Sequence, residues 1–197
     1  MLFRSAIHVG AQDGAFNRNA VAAQWGERLD ALAKADPGAY VHRVELHAGK
    51  GHWMDREDAS AVPWMAAFTR DARPKRIVWV QSSVTHPRFY WLAVDKPVAG
   101  QRIVVERDGQ EIRVVEAPPG AALRIRLDDS MLDLDKDIRV VQADKVQGDK
   151  VKDNKVLFQG RIPRTRQAID AVLGERHDPR SAFTAEVTVT TCTPAGG

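Results

Sequence analysis

The sequence predicts an α/β segment followed by a mainly β segment, the latter a small β-sandwich-like domain with one helix. Three observations carry this. Strand-like and helix-period runs alternate up to about residue 95. Beyond Asp95-Lys96-Pro97-Val98-Ala99-Gly100, alternating strand patterns dominate. An apolar content of 44% against 28% charged is that of a globular chain, and 197 residues suffice for one or two domains. The change of pattern predicts domains at 1–95 and 96–197.

Ser5 to Val9 reads as a strand ended by Gly10. Val21, Trp25, Leu29 and Leu32 recur at helical spacing and predict a helix over Asn17 to Ala35 with those four inward. Asn17 or Asn19 can cap it, and Asp36-Pro37-Gly38 stops it. Tyr40 to Leu46 is a second strand, Gly49 to Asp58 a polar loop, and Ala61 to Arg70 a short helix with Trp64, Met65 and Phe68 on one side. Strand, helix, strand implies a right-handed parallel crossover. Lys75 to Val80 and Phe89 to Val94 complete the first part as strands. Their aromatics Trp79, Phe89, Tyr90 and Trp91 are read as core rather than as a carbohydrate platform.

In the second part, Gln101 to Glu106 and Glu111 to Glu116 flank Arg107-Asp108-Gly109-Gln110, a hairpin signal. Ala122 to Leu127 alternates apolar residues with Arg124 and Arg126. Ile138 to Gln142 and Lys155 to Gln159 are strands around a polar Asp/Lys-rich turn. Arg164 to Arg176 is the helix, with Ile169, Val172 and Leu173 inward, and Ala182 to Thr191 is the last strand.

The formal net charge of +3 comes from interspersed charges with no basic arm, so no nucleic-acid partner is expected. Cys192 is the single cysteine, so no intrachain disulfide forms; its setting reads as a strand end rather than a nucleophile. No apolar run reaches the ~20 residues of a membrane span, and Met1 to Val9 lacks the apolar core of a signal peptide. Localisation stays unassigned.

Two motifs point to chemistry. Gly10-Ala11-Gln12-Asp13 follows the first strand, and Gly51-His52-Trp53-Met54 follows the second, about 40 residues later. A serine nucleophile needs a histidine to take its proton and a carboxylate to orient and stabilise that histidine. In an α/β sheet such groups sit just past the carboxyl ends of strands. Asp13 is therefore the candidate acid and His52 the candidate base. No G-x-S-x-G elbow occurs. Of the serines, Ser82-Ser83 after a strand is the best substitute, though read first as loop hydroxyls.

Metal binding is weighed and set aside. His42, His47 and His52 recur at intervals of five, but an odd interval puts His42 and His47 on opposite faces of a strand. Asp128, Asp129, Asp133, Asp135 and Asp137 form an acidic run without the glycine and glutamate of a calcium loop. No metal or cofactor is expected.

Residues 5–92 resemble the C-terminal half of a serine α/β-hydrolase of the esterase, polyhydroxybutyrate-depolymerase-like and prolyl-oligopeptidase-like group. The likeness rests on Gly10 to Asp13 with Phe16-Asn17-Arg18-Asn19, on Gly51 to Met54, on Trp64-Met65 and on Phe89-Tyr90-Trp91-Leu92. It implies a C-terminal remnant of a hydrolase sheet with an appended β-rich domain. In that family the earlier strands, the oxyanion loop and the serine elbow precede these motifs. The resemblance thus implies a carboxylic-ester hydrolase fragment with acid and base but no nucleophile, acting on a small-molecule or polymeric ester if active. A sheet lacking its neighbours has open edges, which implies self-association or pairing with a separate N-terminal half. The alternative is a non-catalytic binding or assembly module on the same remnant.

Overall fold

The computed structural model describes residues 4–82, 86–143, 146–147, 150–151 and 154–192 of the chain. The fold is mixed α/β with strands predominating, in two compact units, Met1–Arg70 and Asp71–Gly197. The division falls before, not after, the strand runs at 76–94. Those runs pair with strands of the second unit, and backbone pairing decides membership where local pattern cannot. The division at 95–100 is corrected accordingly.

The first unit is built on two parallel strands, β1 (Arg4–Gly10) and β2 (Val41–His47), joined by α1 (Arg18–Ala35) and followed by α2 (Ala61–Ala66). Parallel strands cannot be joined by a tight turn, and α1 is the required crossover. The inward face of α1 differs from the expected one. Ala22 and Leu29 are buried and Gly26 lies against Val44, whereas Val21 and Trp25 are exposed. A narrow two-stranded sheet admits a helix most closely along small side chains, so Ala22 and Gly26 took the contact from their bulkier neighbours. Asn17 makes no side-chain cap, but Asn19 accepts the first-turn Ala20 amide on Oδ1 at 2.8 Å. Asn19 also donates from Nδ2 to the Ala11 carbonyl at 2.9 Å, tying the helix to the loop after β1.

The second unit holds two larger sheets. The first is five-stranded, in the order β12-β9-β7-β6-β3: β3 (Arg76–Val80), β6 (Arg102–Asp108), β7 (Glu111–Glu116), β9 (Ile138–Ala143) and β12 (Asn154–Gly160). The second is four-stranded, in the order β13-β8-β5-β4: β4 (Arg88–Phe89), β5 (Leu92–Val94), β8 (Ala122–Leu127) and β13 (Ala185–Thr190). The Asp108-Gly109 hairpin forms as expected, with Gly109 at φ 53°. The expected strand over 89–94 is instead a hairpin, β4 turning into β5 at Tyr90, whose φ is 55°. β7 and β9 pair in parallel, because the chain visits the other sheet as β8 between them. Within the Asp/Lys-rich stretch, β10 (Val146–Gln147) pairs with β11 (Lys150–Val151).

Both sheets supply one hydrophobic cluster, including Ile77, Trp79, Ile103, Ile112 and Val140 from the first and Leu92, Leu123, Ile125 and Val189 from the second. Trp91 is fully buried, its indole N–H donating to the Pro74 carbonyl at 2.9 Å. Trp79 is buried too, with Phe89 and Tyr90 packed against the cluster, which bears out the core reading of these aromatics. The helix α3 (Arg166–Arg176) starts at Thr165, whose hydroxyl accepts from the Ala168 amide. It buries Ala168 and Val172, leaving Ile169 and Leu173 half-buried.

One buried charge stands out in this unit. The Arg126 side chain on β8 is wholly enclosed and binds both Glu175 oxygens on α3, at 2.8 and 2.9 Å, and Glu186 on β13 at 2.9 Å. Burial disfavours its charge, but Glu175 and Glu186 outweigh that and hold it protonated. Arg126 in turn holds the Glu175 carboxyl below the usual range against its own desolvation. A lowered folded-state pKa stabilises above the unfolded value, and that stability is lost as pH falls through the folded one. Glu175→Gln is expected to cost about 2 kcal/mol near neutral pH, less than a fully broken buried pair because Glu186 remains. Urea unfolding at about pH 7 and about pH 3 checks this, with the gap between the two proteins shrinking on acidification.

Candidate functional site

β1 and β2 run in register from Arg4 opposite Val41 to Gly10 opposite His47, so both chains leave the sheet side by side at its carboxyl end. Main-chain hydrogen bonds continue beyond the last paired residues. Ala11 N–H donates to the His47 carbonyl and Gln12 N–H to the Lys50 carbonyl, each at 2.9 Å. The two loops are packed so closely that a Cβ on Gly10 would lie 2.0 Å from the Gly51 carbonyl oxygen and 2.4 Å from that of Lys50. Only glycine fits. On leaving β1 the chain turns sharply, with Asp13 N–H on the Gly10 carbonyl and with Phe16 and Asn17 in the left-handed region.

This brings together the two residues singled out by the sequence. Asp13 Oδ2 lies 2.9 Å from His52 Nδ1. The Asp13 side chain is 4% exposed and that of His52 55%. With Asp13 ionised, Nδ1 carries the proton and donates it, leaving Nε2 of the half-exposed ring as a proton acceptor. The hydrogen bond from His52 and then the Arg18 guanidinium hold the Asp13 carboxyl below the usual carboxylate range, against partial desolvation.

Arg18 belongs to the acid-loop motif, which by itself gives it no role. Its Nη1 donates to Asp13 Oδ1 at 3.1 Å and stands 3.4 Å from His52 Nδ1. Because Nδ1 is itself a donor toward Asp13, the second approach sets a cation beside the imidazole. The Asp13 carboxylate is thereby shared between Arg18 and His52. The signal available in the sequence was an arginine five residues past the acid, in the first turn of the helix. Around the pair, Phe16 and Trp53 are exposed; Phe16 lies under Arg18 at 5.1 Å and Trp53 stands edge-on to His52 at 5.2 Å.

Among the described residues, no serine of the first unit is hydrogen-bonded to this pair. The Ser60 hydroxyl donates to the Glu57 carbonyl, Ser130 to Asp128 and Ser181 to Asp178. Ser82 is an exposed residue of the second unit, and Ser83 lies outside the described residues.

Nor do His42, His47 and His52 converge. His42 bonds Asp30 of α1, whereas His47 bonds Glu57. Among the described residues the ligand atoms of His8, Glu45 and His47 do converge, and His8 lies outside the five-residue histidine pattern. In the acidic run, Arg164 bridges Asp129 and Asp135 and holds both carboxyls down, while Lys136 pairs with Asp133. These aspartates are engaged by cations of the chain itself.

Gly10→Ala is expected to push the 50–51 loop away and destabilise the first unit by about 3 kcal/mol or more. The hydrogen-bonded Nδ1–H resonance of His52 should be lost from the proton spectrum. Gly14→Ala, whose Cβ meets nothing within 4 Å, is the control and should keep it. Comparisons with protein-family models, with curated proteins and with solved structures return no match for this chain.

Proposed function

We propose that Asp13 and His52 are the acid and base of a serine-hydrolase-type relay for carboxylic esters, and that this chain does not itself supply the nucleophile. The supporting observation is the 2.9 Å contact between a buried carboxylate and the Nδ1 of a half-exposed imidazole at the carboxyl end of parallel strands. In such a relay the aspartate fixes the tautomer, and Nε2 accepts the hydroxyl proton as the oxygen attacks the ester carbonyl. The substrate would be a small-molecule or polymeric ester, and the second unit a sandwich-like accessory domain.

The nucleophile would come from a separate N-terminal half; a second copy of the chain, carrying the same residues, would instead cover the open sheet edge. Two facts support a partner. Among the described residues β1 and β2 pair only with each other, so each has an open edge. Val21, Trp25, Val62 and Met65 also leave apolar surface exposed on the helices of this unit. Light scattering at micromolar concentration is expected to find an oligomer; a strict monomer that binds no apolar dye would count against the partner.

A second reading, a non-catalytic binding or assembly module, is favoured by Arg18. Its guanidinium takes Asp13 Oδ1 and stands beside His52 Nδ1, so the carboxylate does not serve the histidine alone. Hydrolysis of p-nitrophenyl esters by the chain together with its nucleophile-bearing partner separates the two readings. On the relay reading, turnover falls by about 100-fold or more in His52→Ala and in Asp13→Asn. Turnover unchanged in both variants rules out the relay, and absence of turnover with that partner present favours the module.

A further inference from the structure

We propose that His8, Glu45 and His47 form a binding site for a divalent transition-metal ion of the zinc class, on the face of the β1–β2 sheet opposite α1. The site is separate from the Asp13–His52 pair and does not rest on the hydrolase reading.

Strand register creates it. His8 on β1 stands opposite Glu45 on β2, and His47 is two residues further along β2, on the same face as Glu45. The other face is that of His42 and Val44, where His42 meets Asp30 of α1 and Val44 meets Gly26.

The three facing atoms are His8 Nδ1, His47 Nε2 and Glu45 Oε2. Their separations are 2.9 Å between the nitrogens, 3.5 Å from His8 to Glu45 and 4.0 Å from His47 to Glu45. A triangle with those sides has a circumscribed radius of about 2.1 Å, so one point lies within zinc–nitrogen and zinc–oxygen bonding distance of all three atoms. The His8 and His47 side chains are only 5% and 9% exposed, and Glu45 is 32% exposed, so the point is sheltered with one more accessible edge.

The supporting contacts are those of an oriented ligand set. His47 Nδ1 lies 2.9 Å from Glu57 Oε2, which fixes the proton there and leaves Nε2 as the lone pair toward His8 and Glu45. Lys50 holds Glu57 from the other side at 3.0 Å, and first Lys50 and then His47 keep that carboxyl ionised. Arg43 takes Glu45 Oε1, leaving Oε2 for the histidines. His8 Nε2 is enclosed with no hydrogen-bond partner among the described residues, so Nδ1 is the nitrogen that serves the cluster.

Without an ion, the two imidazoles share one proton across 2.9 Å, their planes 25° apart. The ion takes the place of that proton, which passes to His8 Nε2 as the ring changes tautomer, so both imidazoles stay neutral. Two imidazoles and one carboxylate suit zinc, cobalt or nickel rather than calcium or magnesium, which take oxygen sets. Three protein ligands leave a position for water. The ion would clamp two strands that have no other strand neighbours among the described residues, so binding free energy becomes stability of this unit.

The test uses the full chain freed of metal, titrated with zinc alone by calorimetry and with cobalt by visible absorption. One equivalent is expected to bind, with the absorption of imidazole-ligated, four-coordinate cobalt and a raised melting temperature. His8→Gln should weaken zinc by more than 100-fold. Glu57→Gln, an exposed change that keeps the fold, should weaken it by roughly 10- to 100-fold. His42→Gln, His52→Ala and Cys192→Ser should bind as the parent does. Should His8→Gln fail to fold, Glu57→Gln and the cobalt spectrum decide. Zinc binding unchanged in the folded variants of this site, or no tight site in the parent, overturns the proposal.

Discussion

The first unit depends on the close approach of two backbones, at Gly10 and at Lys50 to Gly51. A parallel two-stranded sheet has few ladder hydrogen bonds and no lateral neighbours among the described residues. The two amide-to-carbonyl bonds past its end, from Ala11 and Gln12, extend the pairing into the loops. That extension keeps Asp13 beside His52 rather than on an independent turn. It also fixes the conformation of His47, whose carbonyl receives Ala11 and whose ring belongs to the cluster with His8. One backbone contact thus positions two side-chain constellations, one at the sheet's end and one on its face.

The two constellations divide their carboxylates alike. At the sheet's end Asp13 gives Oδ1 to Arg18 and Oδ2 to His52. On the face, Glu45 and Glu57 each give one oxygen to a cation, Arg43 or Lys50, and the other to histidine. They differ in what the histidines face: His52 is half-exposed at the sheet's end, whereas His8 and His47 turn their ring nitrogens toward a common point, the geometry a metal ion exploits.

The second unit is held by a different balance. Its core draws on both larger sheets, and the enclosed guanidinium of Arg126 joins β8 to α3 and β13 through Glu175 and Glu186. An arginine in an alternating strand looks solvent-facing in sequence. It is enclosed because α3 and β13 bring two carboxylates to it, and with those partners in place its charge can be kept out of water.

The sequence by itself determined most element positions, the parallel pair around a helix, the Asp108-Gly109 hairpin and the loop positions of Asp13 and His52. These follow from local rules: period, turn chemistry and the placement of polar residues past strand ends. Only the tertiary structure decided which strands belong together, since β3, β4 and β5 look alike in sequence whichever sheet they join. It also decided that α1 packs on Ala22 and Gly26, because the width of the sheet, not the hydrophobicity of the helix, sets the approach. Arg18 reaches Asp13 and His8 reaches Glu45 through turn geometry and strand register. Register depends on pairing across 37 residues of chain, and no local pattern encodes it.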